Sequence, residues 1–164
     1  MRIEPFIEPD EIDKAYAAGF IDGEGYIGVV SVSHRKLNAD GSAAMPSPRI
    51  EAYVGQDTKA PLEFIAYRWG GTLHEAREGR YNRRFYRLNF SAGRAVKLCS
   101  DLLPYFKVKR PQAEHVLLVA EKCFFPGTGG RYPGQHGNRR TPEQIEAQLA
   151  AVIESKRLNS RKEC

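Results

Sequence analysis

The sequence predicts an α+β fold: one domain over residues 1–164, with an antiparallel four-stranded sheet and additional C-terminal helices. Three observations predict it. The elements read in the order α-β-β-α-β-β-α, with further helical segments behind them. The strand segments alternate, so each hairpin has one apolar face for the helices and one polar, arginine-bearing face. The helical segments carry their own start and stop signals. The core is expected over about 10–125, followed by a loop and helix over about 126–160.

Asp10 can cap the first helix, with Glu11 and Asp13 in its first turn, where negative charge is favourable. Ile12, Ala15, Tyr16, Gly19 and Phe20 fall at helical spacing, and the helix is predicted to stop at Gly23. The first strand, about 26–35, reads "YIGVVSVSHR" and is rich in β-branched residues. A loop with "NADGS" and "MPSP" follows. On the second strand, about 48–56, Ile50, Ala52 and Val54 alternate with Arg49, Glu51 and Tyr53. Pro61 opens a short helix that Gly70-Gly71 ends. A hairpin runs over 72–77 and 84–90 around "EGRYN", a helix over 92–103 until Pro104, and another from Pro111 to Cys123. "PGTGGRYPGQHGNRR" is too polar and glycine-rich to pack. Thr141 and Pro142 then start a final helix with a regular apolar stripe.

Composition narrows the function. Hydrophobic residues make up 41% of the chain, enough for a globular core. No apolar run approaches the roughly 20 residues that span a bilayer. The opening "MRIEPFIEPDEID" is acidic and has no apolar h-region, so it does not read as a signal peptide. The expectation is an intracellular protein in a bacterial cytoplasm or organelle matrix, not secreted and without a membrane partner. Cys99, Cys123 and Cys164 are odd in number and show no CxxC spacing, and the four histidines are scattered. Free thiols are expected, rather than a disulfide framework or a zinc site. The net charge of +5 and pI of about 9.2 hint at a polyanionic partner. Residues 77–87, "REGRYNRRFYR", hold five arginines and one acid, and "KVKR" at 107–110 adds three more positive charges. The acids collect at 4–13. A sheet with one basic face left bare can lie in the major groove of DNA.

"AGFIDGEGYIGV", residues 18–29, poses a physical problem. Asp22 and Glu24 sit at the negative end of a helix dipole, which costs roughly 0.3–1 kcal/mol each. A bound cation is the obvious compensation.

"AAGFIDGEG", Ala17 to Gly25, resembles the LAGLIDADG motif of homing endonucleases. Ala18, Gly19, Asp22 and Gly25 match outright; Phe20, Ile21, Gly23 and Glu24 are substitutions that family commonly carries; Ala17 stands where leucine is usual. "VGQDT" (Val54 to Thr58) looks like the family's segment at the end of its second strand, where a glutamine reaches the active site. "PYFKVKRPQA" (Pro104 to Ala113) resembles the segment carrying its active-site lysine. The element order is also the family's. Together these cover most of residues 10–125, and no motif covers the last forty.

The resemblance implies a four-stranded saddle per subunit. One motif copy implies the homodimeric branch, with Ala15, Ala18, Gly19 and Asp22 at the helix-to-helix interface. It implies Glu24 as ligand of Mg²⁺, helped by the Gly23 carbonyl; oxygen ligands suit this hard ion. Mn²⁺ is an alternative ion, and Ca²⁺ is expected to bind without cleavage. Asp22 is implied to be a helix-end residue that holds backbone amides. Gln56 is implied to position water or metal, and Lys109 to be the cation near the phosphate, with Lys107 its nearest competitor. Where the branch usually has an arginine, this chain has Ala60, with Lys59 beside it as the candidate replacement. The implied activity is site-specific hydrolysis of both strands of a long pseudo-palindromic duplex, supporting intron homing, with no small-molecule substrate. The same fold serves RNA-binding maturases and non-cleaving DNA-binding regulators.

Candidate DNA contacts follow from strand parity. In phase with Glu24 are Gly28, Val30, Val32 and His34; Ser31, Ser33 and Arg35 form the other face, which a bulge could exchange. The second strand offers Arg49, Glu51 and Tyr53. The hairpin offers His74, Ala76, Arg83, Phe85, Arg87 and Asn89.

Overall fold

The computed structural model describes residues 1–32, 47–78, 83–124 and 142–160. The strands are β1 (Arg2–Ile3), β2 (Gly25–Val32), β3 (Ser47–Gln56), β4 (Gly71–Glu78) and β5 (Arg83–Phe90). The helices are α1 (Glu11–Glu24), α2 (Ala60–Trp69), α3 (Ala92–Leu102), α4 (Arg110–Val119) and α5 (Pro142–Asn159). A π-helical turn, Ala120–Phe124, continues α4.

The five strands form one antiparallel sheet in the order β1-β4-β5-β3-β2. The four predicted strands are all present. The fifth, β1, pairs Arg2 with Thr72 and Ile3 with Gly71. A two-residue strand has no periodicity, so only its pairing reveals it.

Asp10 starts α1 as predicted. Its side chain accepts from the Asp13 amide at 2.8 Å, and Asp13 accepts in return from the Asp10 amide at 3.2 Å, a reciprocal cap. Gly70 ends α2 with φ 71°, a left-handed conformation that favours glycine, while its amide donates to Ala66.

Alternation sorts the sheet's two faces. Ile27, Val29, Ile50, Ala52, Val54, Leu73, Leu88 and Phe90 point to one side and are buried. Against them pack Ala17, Ala18 and Ile21 of α1, Leu62, Ile65, Ala66 and Trp69 of α2, and Ala95, Leu98, Cys99 and Leu102 of α3. Burial pushes the Cys99 thiol up to about 12, so it is an inert core group. Of the other cysteines, the Cys123 side chain and Cys164 lie outside the described residues.

An exposed strand edge carries unpaired amides and carbonyls. At the β2 edge α5 satisfies them with side chains. The Val29 amide donates to Ser155 Oγ at 2.8 Å, and Asn159 Nδ2 donates to the Ile27 carbonyl at 3.0 Å. Ser155 is 1% exposed.

Candidate active site and nucleic-acid interface

The carboxylates ending α1 have opposite surroundings. Asp22 turns toward the segment before α4. Its Oδ2 accepts the amides of Lys107 (2.8 Å) and Val108 (3.2 Å), and its Oδ1 accepts the amide of Lys109 (2.8 Å). These are the free donors ahead of a helix N-terminus, and a carboxylate is their best acceptor. Lys109, the residue at the N-cap of α4, has no acceptor and makes no side-chain cap of its own. Asp22 thus holds backbone amides of its own chain, as implied for it. Glu24 is exposed and, among the described residues, has no hydrogen-bond or ion-pair partner.

Glu24 opens on a cleft of about 680 Å³. Gly23 and Gly25 line it beside Glu24; Tyr26 and Tyr53 come from the sheet, Lys109 and Gln112 from α4, and Leu158, Asn159 and Ser160 from the end of α5. Glu24 and Lys109, 85 residues apart in sequence, therefore share one cavity. Asp22 brings them together, because it ties the Lys109 backbone to the last turn of α1. The Glu24 carboxylate and the Gly23 carbonyl, in the last turn of a helix, are oxygen donors that suit a hard divalent cation. Among the described residues no group of three His, Cys, Asp or Glu could hold a metal. The remaining ligands of such an ion have to be waters, phosphate oxygens or a second copy's donors.

Two candidates lie elsewhere. Gln56 shares the parity of Ile50, Ala52 and Val54, the helix-covered face, and its Oε1 accepts the neighbouring Asp57 amide at 2.9 Å. It does not line the cleft. Lys59 stands before α2 and pairs with Glu63 at 2.6 Å; that carboxylate raises its pKa. A helix-start lysine with a glutamate one turn on is held locally.

The other face of the sheet bears the candidate contacts. Tyr26 and Tyr53 stack with centroids 5.0 Å apart. The Arg87 guanidinium lies 3.5 Å over the Tyr53 ring. Glu51 pairs with Arg87 at 3.6 Å and Arg49 at 3.5 Å. Phe85 crosses Gly55, where an added Cβ would meet the ring at 2.2 Å. His74 is exposed, and Val30 and Asn89 are half-buried. Gly28 has the predicted parity but not the predicted access: a Cβ there would meet Ser155 Oγ at 2.3 Å and the Tyr26 hydroxyl at 2.6 Å. Packing of α5 fills that position. Lys107 is exposed beside the cleft segment. His34, Arg35, Ser33 and the loop over 126–141 lie outside the described residues, as do the side chains of Val32, Ala76 and Arg83.

Along α1, Ile12 (79% exposed), Ala15, Gly19 and Gly23 form an outward stripe. A Cβ at Gly19 or Gly23 would meet nothing within 4 Å. Ala18 is not on this stripe. It is 0% exposed, because it faces the sheet with Ala17 and Ile21.

Sequence reasoning missed Tyr26, Val108, Gln112, Leu158, Asn159 and Ser160 of the cleft. Tyr26 was within reach, since it lies two residues past Glu24 on the same strand face. The α5 residues belong to a helix that carries no motif, so only packing could assign them.

No protein-family model matches the sequence, and no curated protein matches it. Solved structures do. The homing endonuclease I-CvuI in complex with its target matches with a TM-score of 0.68 and 22% identity, over 94% of this chain and 88% of that one. The archaeal intron-encoded homing endonuclease I-Vdi141I, complexed with DNA, matches with a TM-score of 0.65 and 16% identity, over 94% and 88%. The LAGLIDADG homing endonuclease I-SmaMI, bound to cleaved DNA, matches with a TM-score of 0.58 and 15% identity, over 91% of this chain and 46% of that one. This chain therefore has the fold of the LAGLIDADG homing endonucleases, the family whose signature its own "AAGFIDGEG" resembles.

Proposed function

We propose that the protein is a site-specific DNA endonuclease that works as a homodimer with a divalent metal, Mg²⁺ being the natural choice. The observation that carries this reading is Glu24: a carboxylate without a partner among the described residues, in the same cleft as Lys109, beside a sheet face that bears Arg49 and Arg87. DNA-bound homing endonucleases of the same fold support it, including I-CvuI complexes in the presence of Mg and of Ca.

The residues divide the work. The α1 stripe of Ile12, Ala15, Gly19 and Gly23 lets a second copy approach closely about a two-fold axis, which brings two Glu24 carboxylates together. Glu24 and the Gly23 carbonyl would hold a divalent ion, which would supply charge stabilisation and acidify water when bound. Lys109 places an ammonium where charge develops on the phosphoryl oxygens. On the sheet, Arg87 Nε and Asn89 Oδ1 are buried without a partner among the described residues. Arginine suits guanine and asparagine suits adenine in the major groove, which makes these two side chains fitting candidates for base readout once DNA displaces the contacts that cover them. Two-fold symmetry in the protein implies a pseudo-palindromic target.

The first test is cleavage of a randomised duplex library in Mg²⁺, beside Glu24→Gln and beside the same reaction in Ca²⁺. Discrete cuts in both strands, lost in Glu24→Gln, with binding retained in Ca²⁺, are the expected result. Specific binding without cuts by the wild-type protein overturns the nuclease reading in favour of a regulator. Binding of structured intron RNA in preference to duplex DNA, compared across a salt titration, overturns it in favour of a maturase.

A further inference from the structure

Glu51 is out of character with the face it stands on. In the function proposed above that face meets DNA, whose phosphates, guanines and thymines present acceptors. An ionised carboxylate has only acceptors to offer in return. Glu51 is not a solvated charge at the rim either. Its side chain is 19% exposed and sits between two guanidinium groups, Arg49 of β3 and Arg87 of β5.

The strand register shows how Arg87 gets there. Its partner across the ladder is Gly55, and Glu51 lies four residues back along β3, about 13 Å away. Arg87 therefore lies down along the sheet, its guanidinium 3.5 Å over the ring of Tyr53 on the way. At 3.6 Å its contact with Glu51 is longer than a hydrogen bond, so the two ions attract without closing on each other. The Arg87 side chain is 38% exposed and free to lift toward a groove.

Lifting Arg87 off Tyr53 changes the needs of both ions. Glu51 is left with one cation instead of two, and a half-buried carboxylate then calls for a donor. The base pair that serves both presents acceptors to the arginine and a donor to the glutamate. G·C does so: guanine O6 and N7 take the arginine fork, and cytosine N4 donates to the carboxylate. T·A, with thymine on the arginine and adenine on the glutamate, offers one bond to each. A·T sets thymine O4 against the carboxylate. C·G sets donors against donors and acceptors against acceptors.

We infer that Glu51 and Arg87 form one specificity-determining unit, which exchanges its ion pair for a single G·C base pair in each half-site, guanine on Arg87 and cytosine on Glu51. The inference rests on the DNA-binding function proposed above and names what that surface reads. Because Tyr53 lines the Glu24 cleft, the base pair lies at the cleft end of the half-site.

The test is selection of bound duplexes from a randomised library in Ca²⁺, by the wild-type protein, Glu51→Ala and Arg87→Ala. In the wild type one position per half-site is expected to follow the order G·C, T·A, A·T, C·G, with G·C about 10-fold above A·T. Arg87→Ala should remove the advantage of G·C over T·A at that position. Glu51→Ala should keep guanine and close the gap between T·A and A·T. Preferences at the other positions should persist in both variants, which shows them folded and docked. If an alanine variant binds nothing, Arg87→Lys and Glu51→Gln take its place, keeping the charge without the fork and the shape without the charge. The inference is overturned if the two substitutions alter different positions, or if A·T stays as disfavoured without the Glu51 carboxylate as with it. A wild-type protein with no sequence preference at any position overturns instead the site-specific function on which the inference rests.

Discussion

Two sides of one helix end, separated by a single glycine, behave as different regions of the molecule. On the inner side Asp22 is consumed by structure: three backbone amides of the segment before α4 converge on one carboxylate. On the outer side Glu24 is left open, facing a cleft with Lys109. Both pay the same dipole cost, and the two compensations differ. Asp22 is offset by donors the fold provides. Glu24 has none among the described residues and stands exposed, and in the function proposed above a bound cation supplies the compensation. Under the proposed function, the acidic pair of the motif divides into one scaffold residue and one site residue.

This contrast can be broken one residue at a time. The largest effect is expected at Glu24. Glu24→Gln should reduce cleavage at least about 1,000-fold while leaving the melting temperature essentially unchanged, as checked by cleavage assay and calorimetry. Asp22→Ala should do the reverse in stability: it orphans three amides and should cost about 2 kcal/mol in denaturant unfolding. Its activity loss should follow from misplacement of Lys109. A variant that keeps full stability would show that Asp22 does not hold the α4 start.

Ser155→Ala sharpens the comparison from the far side of the cleft. It leaves the Val29 amide without its buried acceptor and removes the partner of the Tyr26 hydroxyl. Chemical denaturation should show a loss of about 1–2 kcal/mol. Glu51→Gln probes the sheet face. It removes the negative charge that pairs with both Arg49 and Arg87. Duplex affinity should rise about threefold, and the salt dependence of binding should steepen.

The smallest effect is a pH dependence away from the site. The Arg68 guanidinium, 2.7 Å from Asp13, holds that carboxyl below its usual range. A depressed carboxylate stabilises the fold fully above its unfolded pKa of about 4 and loses that contribution as pH falls through the folded value. The stability gap between wild type and Asp13→Asn should therefore be constant near neutrality and shrink below about pH 4.

Local signals in the sequence were sufficient for most elements. Asp10 and Asp13 announce the start of α1, Gly70-Gly71 the end of α2, and alternation assigns Ile50, Ala52 and Val54 to the core and Arg49, Glu51 and Tyr53 to the open face. These are short-range properties: a cap acts over three residues and a pleat over two. Glu24 and Lys109 were legible as motif positions. That they share a cleft was not, because 85 residues separate them and Asp22 joins them only in three dimensions. Ala18 misled for a related reason: its spacing fits either side of α1, and only packing against the sheet chose the inner one. Gly28 has the right parity and is nevertheless filled by Ser155 and Tyr26. By itself, then, the sequence determined the elements, their faces and the acidic motif, since local sterics and periodicity encode these. The tertiary structure alone decided which carboxylate is bonded and which has no partner among the described residues, and which α5 residues reach the cleft, because long-range hydrogen bonding and packing belong to no single segment of the chain.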